Sequence, residues 1–183
     1  MARPKSEQKR NAILAATTGL IAEQGLGAPT AEIAKQAGVP HGSVFAYFNT
    51  KAELLRTLYV ELSAEMTDTV MADMPGDESA RDQFRHLWVR WTHWGASNPS
   101  KRRAQAILKL SVERRQADDY ASPVFKIIER ASEHGTLGDG PPLYVIELVD
   151  AWVSTTIDFM IGHPKEADEY CERGFNAMWH ALN

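Results

Sequence analysis

A single cysteine, Cys171, stands in 183 residues. That excludes an intrachain disulfide framework and fits a reducing cytoplasm. No apolar run approaches the roughly 20 residues that a bilayer span requires, so no membrane partner is expected. The amino terminus, MARPKSEQKRNAILAA, is basic but lacks the continuous apolar core and cleavage site of a secretory signal. Strand-like alternation is missing, as are internal repeats and low-complexity tracts. So too are a Ser-His-Asp set, a metal-ligand cluster and a Gly-rich phosphate loop, and neither catalysis nor a cofactor is expected. Asp82, His86 and His93 fall at i, i+4 and i+11 of one helix, where only the first two are neighbours. Acidic Glu172 beside Cys171 argues against a redox thiol.

What remains is helical period along nearly the whole chain. A composition of 44% hydrophobic and 24% charged residues describes a soluble globular protein of one or two domains. Ser6–Gln24 carries Ile13, Leu14, Thr17, Leu20 and Ile21 on one stripe and ends at Gly25 and Gly27. Thr50-Lys-Ala-Glu53 is a capping box opening a helix to about Met74, with a break at Pro75-Gly76-Asp77. Further helices are expected over Glu78–Ser97, with a face of Phe84, Leu87, Trp88, Trp91 and Trp94, and over Lys101–Arg115, with Leu110 inside. Ser122-Pro123 opens another, to about Glu133. His134–Pro142 is a loop by composition. Leu143–Ile161 is apolar all round and is expected to be buried, and Pro164–Leu182 closes the chain. The fold class is all-α, with about nine helices.

Between Pro29 and Leu54 lies PTAEIAKQAGVPHGSVFAYFNTKAEL: a short helix, a Gly-containing turn, a second short helix and the start of a third. That is a helix-turn-helix, whose second helix enters the DNA major groove. Ile33, Ala34, Ala37, Val39, Val44 and Phe48 lock the pair, Gly38 supplies a positive-φ position, and Pro40 cannot continue the first helix. His41, Gly42, Ser43, Ala46 and Tyr47 face outward. Residues 1–56 carry +3 and residues 57–183 carry −7, the asymmetry expected when one end meets phosphate.

The run AEIAKQAGV-x-x-G-x-V-F-x-Y-F-x-x-K-x-x-L resembles the amino-terminal signature of the tetracycline-repressor (TetR) family of bacterial transcription regulators. The resemblance implies a three-helix DNA-binding head (1–50) on a helical ligand-binding and dimerisation body (51–183). It further implies a cytoplasmic homodimer that pairs through its last two helices and represses transcription from a palindromic operator. A small-molecule inducer of unknown identity would release it from the double-stranded DNA. Half-sites lie ~34 Å apart, so a tilt of the helix from Thr50 to Met74 would defeat simultaneous docking.

Thr30 can hold a phosphate or simply cap its helix. Lys51 is a phosphate contact by the resemblance. Tyr47 either reaches DNA or closes the small core of the head, and His41 either donates to a guanine or is a solvated turn residue. Arg3, Lys5, Lys9 and Arg10 form an arm that adds contacts or stays a tail. Phe45 stands where the family commonly has a phosphate-touching tyrosine, and Pro40 and Pro29 where Ser or Thr is frequent. Ala31 and Ala46 offer methyls that suit thymine. In the body, Trp88, Trp91, Trp94, Tyr144, Glu147, Trp152, Phe159 and Met160 either line an apolar cavity or are plain core. Glu147, Asp150 and Asp158 either meet a cationic ligand or sit at the dimer surface. Ile146, Val153, Cys171, Phe175, Met178 and Leu182 are the expected dimer contacts.

Overall fold

The computed structural model describes residues 6–76, 79–109, 111, 122–135, 137 and 140–183. Among these there are nine α-helices and no strand: α1 Glu7–Gln24, α2 Thr30–Gln36, α3 His41–Tyr47, α4 Lys51–Met71, α5 Ala80–Ser97, α6 Pro99–Lys109, α7 Pro123–Ser132, α8 Pro142–Gly162 and α9 Ala167–Leu182. A 3₁₀ turn, Gly25–Gly27, follows α1. The expected position of Leu110, the segment 112–115 and the break at Asp77 lie outside the described residues, as do Arg3 and Lys5.

The chain divides into two compact units, Met1–Ala64 with Asn98–Arg114 and Glu65–Ser97 with Arg115–Asn183. In the first, the apolar stripe of α1 does what its spacing foretold. Ile13, Leu14, Leu20 and Ile21 are buried against Ile33, Ala34, Val39, Val44 and Phe48 of the helix-turn-helix. Leu54, Leu58 and Leu62 of α4 close this core from one side, and Ala104 and Leu108 of α6 join it. The start of α4 is capped as the Thr50–Glu53 pattern requires. Glu53 N–H donates to Thr50 Oγ1 at 3.0 Å, while the Glu53 carboxylate reaches back one residue further than in the simplest box, to Asn49 N–H at 2.9 Å.

In the second unit the aromatic stripe of α5 is interior. Phe84, Leu87 and Trp88 are fully buried, and Phe84 lies 6.1 Å from the Phe175 ring of α9. Trp88 donates its indole N–H to the Cys171 carbonyl at 3.0 Å, which satisfies the one polar atom that burying this ring brings with it. Two glycines let helices approach closely. A Cβ on Gly174 would stand 2.6 Å from Thr156 Oγ1, and one on Gly95 would stand 2.4 Å from the Ile157 side chain.

Helix α8 departs from the expectation of all-round burial. It buries Val145, Ile146, Val149, Val153, Ile157 and Met160 and leaves Leu143, Tyr144, Trp152, Phe159 and Ile161 exposed. Among the described residues these apolar side chains on its outer side are only partly covered, Phe159 by the His163 and Tyr170 rings at 5.9 and 5.3 Å.

Candidate nucleic-acid interface

The helix-turn-helix is held by backbone geometry that the sequence dictates. After Ala37 the chain turns through Gly38 at φ 65°. Gly38 N–H then bonds the Lys35 carbonyl at 3.2 Å, and Val39 N–H the Ala34 carbonyl at 3.0 Å. This is the paired closure of a helix end that glycine permits, with Val39 and Ala34 making its apolar contact. Pro40, extended at φ −57° and ψ 143°, then opens α3.

Thr30 and His41 occupy the first turns of α2 and α3, and Thr30 Oγ1 lies 3.2 Å from His41 Nε2. This bond ties the starts of the two helices together. His41, Gly42 and Ala46 are exposed and Ser43 is half-buried. A Cβ on Gly42 would meet nothing within 4 Å, so the surface there is low and open. Tyr47 is half-buried, and its hydroxyl accepts from Ser6 N–H at 3.0 Å, which fixes the start of α1. Lys51 Nζ donates to the Leu26 and Ala28 carbonyls at 2.8 and 2.6 Å. The side chains expected at the interface are therefore brought to one unit, with Thr30 and His41 in direct contact.

The expected arm needs correction at two positions. Lys9 and Arg10 lie within α1. Arg10 is ion-paired with Glu61 and its guanidinium sits 5.8 Å from the Phe48 ring centroid. Its charge braces α1 against α4 rather than trailing in solvent. Phe45, by contrast, carries more than its sequence context showed: it is 42% exposed on α3 and meets the His41 ring edge-on at 5.7 Å. A pattern of buried Val44 and Phe48 either side of it could have found this, because Phe45 falls off their stripe.

Charge follows the units more sharply than it follows a cut at residue 56. The first unit holds twelve Lys/Arg and six Asp/Glu, a net +6; the second holds eight and eighteen, a net −10. The difference comes chiefly from Lys101, Arg102, Arg103 and Lys109, which α6 brings to the first unit.

The residues expected to line a ligand cavity are not brought together. Trp88, Trp91 and Trp94 are buried, whereas Tyr144, Trp152 and Phe159 are exposed on the outer side of α8, and Glu147 is half-buried. The expected dimer contacts are corrected too. Ile146, Val153, Cys171, Phe175, Met178 and Leu182 are each at most 4% exposed and fill the core of their own unit. Their apolar spacing marked the inward face of α8 and α9, which pattern alone cannot tell from an intermolecular one. A cleft of about 200 Å³, open to solvent, lies instead between α7 and α8. Ile128, Val145 and Ile146 form its apolar part and Glu129, Ser132 and Glu133 its polar part; no sequence motif pointed to it.

Among the described residues no three metal-binding side chains gather. His86 Nε2 is 2.9 Å from the Ala72 carbonyl, and His93 faces Asp168 at 3.6 Å. Cys171 is buried beside Thr92 Oγ1 at 3.3 Å, and burial pushes its thiol above the ordinary value, with Glu172 and Asp168 adding to the rise. A thiol so placed is a poor nucleophile. No helix among the described residues is long and apolar enough to cross a membrane.

The fold and the exposed second helix of the turn motif define an all-helical protein of the helix-turn-helix class. Residues 13–58 match the model of the bacterial regulatory proteins of the tetR family. The chain is 36% identical over 81 residues to the HTH-type transcriptional repressor Rv3405c of Mycobacterium tuberculosis. That match takes in 44% of this chain and 43% of the repressor, less than half the length of either. The fold as a whole is similar to a TetR-family protein of Shewanella sp. PV-4, with TM-score 0.81 at 24% identity, covering 94% of this chain and 97% of that one. It is also similar to FadR of Bacillus subtilis, solved with stearoyl-CoA, with TM-score 0.64 at 17% identity over 94% and 96% of the two chains.

Proposed function

We propose that this protein is a DNA-binding transcriptional repressor that engages a palindromic operator as a homodimer and lets go when a small molecule occupies its second unit. One observation carries the reading. Helix α3 is held by the Gly38 closure and by buried Val44, yet presents His41, Gly42, Phe45 and Ala46 outward on a unit of net +6. A thin, rigidly mounted helix on a basic unit is what groove entry requires. The repressor named for the matched relative supports the sign of regulation.

Dimerisation is assigned to the outer side of α8, where Tyr144, Trp152 and Phe159 are exposed. The effector is assigned to the cleft between α7 and α8. Its binding releases DNA only if it favours one conformation over the other, since equal affinity shifts nothing.

Selection of bound fragments from random duplex DNA by the purified protein tests the reading. The expected result is a motif with two-fold symmetry and half-sites about one helical turn apart. A folded protein that enriches no motif would exclude sequence-specific regulation.

A further inference from the structure

Resting on that DNA-reading conclusion, the geometry points to Phe45 as a specificity-determining residue, one that reads the 5-methyl group of a thymine in each half-site. Its neighbours on α3 divide cleanly. Val44 and Phe48 are 2% and 3% exposed and belong to the core, whereas Phe45 is 42% exposed and contributes nothing to that core. An aromatic ring left in water at an otherwise small-residue surface has apolar area to bury on whatever docks there.

The setting of the ring decides what it can read. Gly42 and Ala46 flank it with no bulk of their own, so Phe45 is the most protruding apolar group of the reader face. The His41 ring meets it edge-on at 5.7 Å, and His41 is in turn 3.2 Å from Thr30 Oγ1. The chain Thr30–His41–Phe45 therefore holds the phenyl ring from one side and leaves its other side to the ligand. A phenyl ring offers no hydrogen bond, so it cannot accept from cytosine or adenine amino groups or donate to guanine. In the major groove the base feature that matches it is the thymine methyl, which contacts apolar side chains. Phosphate contact, which a hydroxyl on this ring would favour, is excluded by its chemistry.

The test replaces thymine by deoxyuridine, which removes only the 5-methyl, at each thymine of the selected operator. Affinity is measured for the native protein and for Phe45→Ala, with Phe45→Leu as a second variant and circular dichroism as the control for folding. One buried methyl corresponds to roughly a fourfold change in affinity per half-site. The native protein should lose that factor at one thymine position of each half-site. Phe45→Ala should lose it with thymine present and be indifferent to the replacement; Phe45→Leu should fall between. The inference is overturned if no position is sensitive, or if the deoxyuridine penalty is the same in Phe45→Ala. Failure to select any operator would instead remove the DNA-reading conclusion, and this assignment with it.

Discussion

Lys51 ties the fold locally and, under the proposed function, would also meet a phosphate. An ammonium has three N–H donors, and two of them reach the carbonyls of Leu26 and Ala28 on the approach to α2. Those bonds fix the entry to the helix-turn-helix, and the third donor is the one a phosphate would receive. Lys51→Ala should then have two separable effects. Loss of the carbonyl ties should lower the urea-unfolding free energy by about 1 kcal/mol. Loss of one phosphate contact should reduce the slope of log affinity against log salt by about 0.9 per protomer. A lowered midpoint with an unchanged salt slope would leave Lys51 as a structural tie alone. At this scale the sequence was legible where partners are near in the chain. Ala34, Gly38 and Val39 lie within one turn, so their closure follows from spacing. The Tyr47 bond to Ser6 spans 41 residues and the Arg10 pair with Glu61 spans 51, and no local pattern encodes either.

Helices were easier to find than their neighbours. The starts and stops of α1, α5, α7 and α8 follow from caps, glycines and prolines within a few residues of where pattern placed them. Which surface each helix covers depended on tertiary contacts. Helix α6 has an apolar stripe that would suit either unit, and the structure sets Ala104 and Leu108 into the core of the first. Helix α8 is apolar on most sides, and only packing shows that Val149 and Val153 face inward while Trp152 does not. Gly174 is the sharpest test of that packing. A Cβ there would stand 2.6 Å from Thr156 Oγ1 of α8 and 2.8 Å from Trp88 Cζ2 of α5. Overpacking of this kind costs about 1–3 kcal/mol, against a gain of about 1 kcal/mol from alanine's helix propensity. Gly174→Ala should therefore be destabilised by up to about 2 kcal/mol in urea unfolding. Gly19→Ala in α1, where the Cβ meets only Gln36 Nε2 at an ordinary 3.7 Å, should be neutral or slightly stabilised. Equal stability of the two variants would contradict the close approach of α9 to α8 and α5.

For the molecule as a whole, a single copy of so small a reader would make few phosphate contacts under the proposed function, and doubling them would be the direct route to tight binding. Tyr144, Trp152 and Phe159 lie on one stripe of α8 and are 56%, 37% and 48% exposed, so they supply the apolar side that a symmetric pair would cover. In a two-fold interface each substitution is met twice. Trp152→Glu adds a negative charge from each protomer to a unit already at −10, and it does so without removing a core residue. The variant should keep its helical signal while its sedimentation mass falls from twice the chain mass to 20.4 kDa. Its operator affinity should collapse and its salt slope should halve, because one protomer releases half the counterions. Phe175→Asp provides the contrast. Phe175 is fully buried, so that variant should lose its helical signal rather than dissociate as a folded chain. A folded, dimeric Trp152→Glu would place the dimer contact elsewhere than this stripe. A folded monomer that still held the full palindrome with an undiminished salt slope would show that pairing is not what gives the protein its grip on DNA.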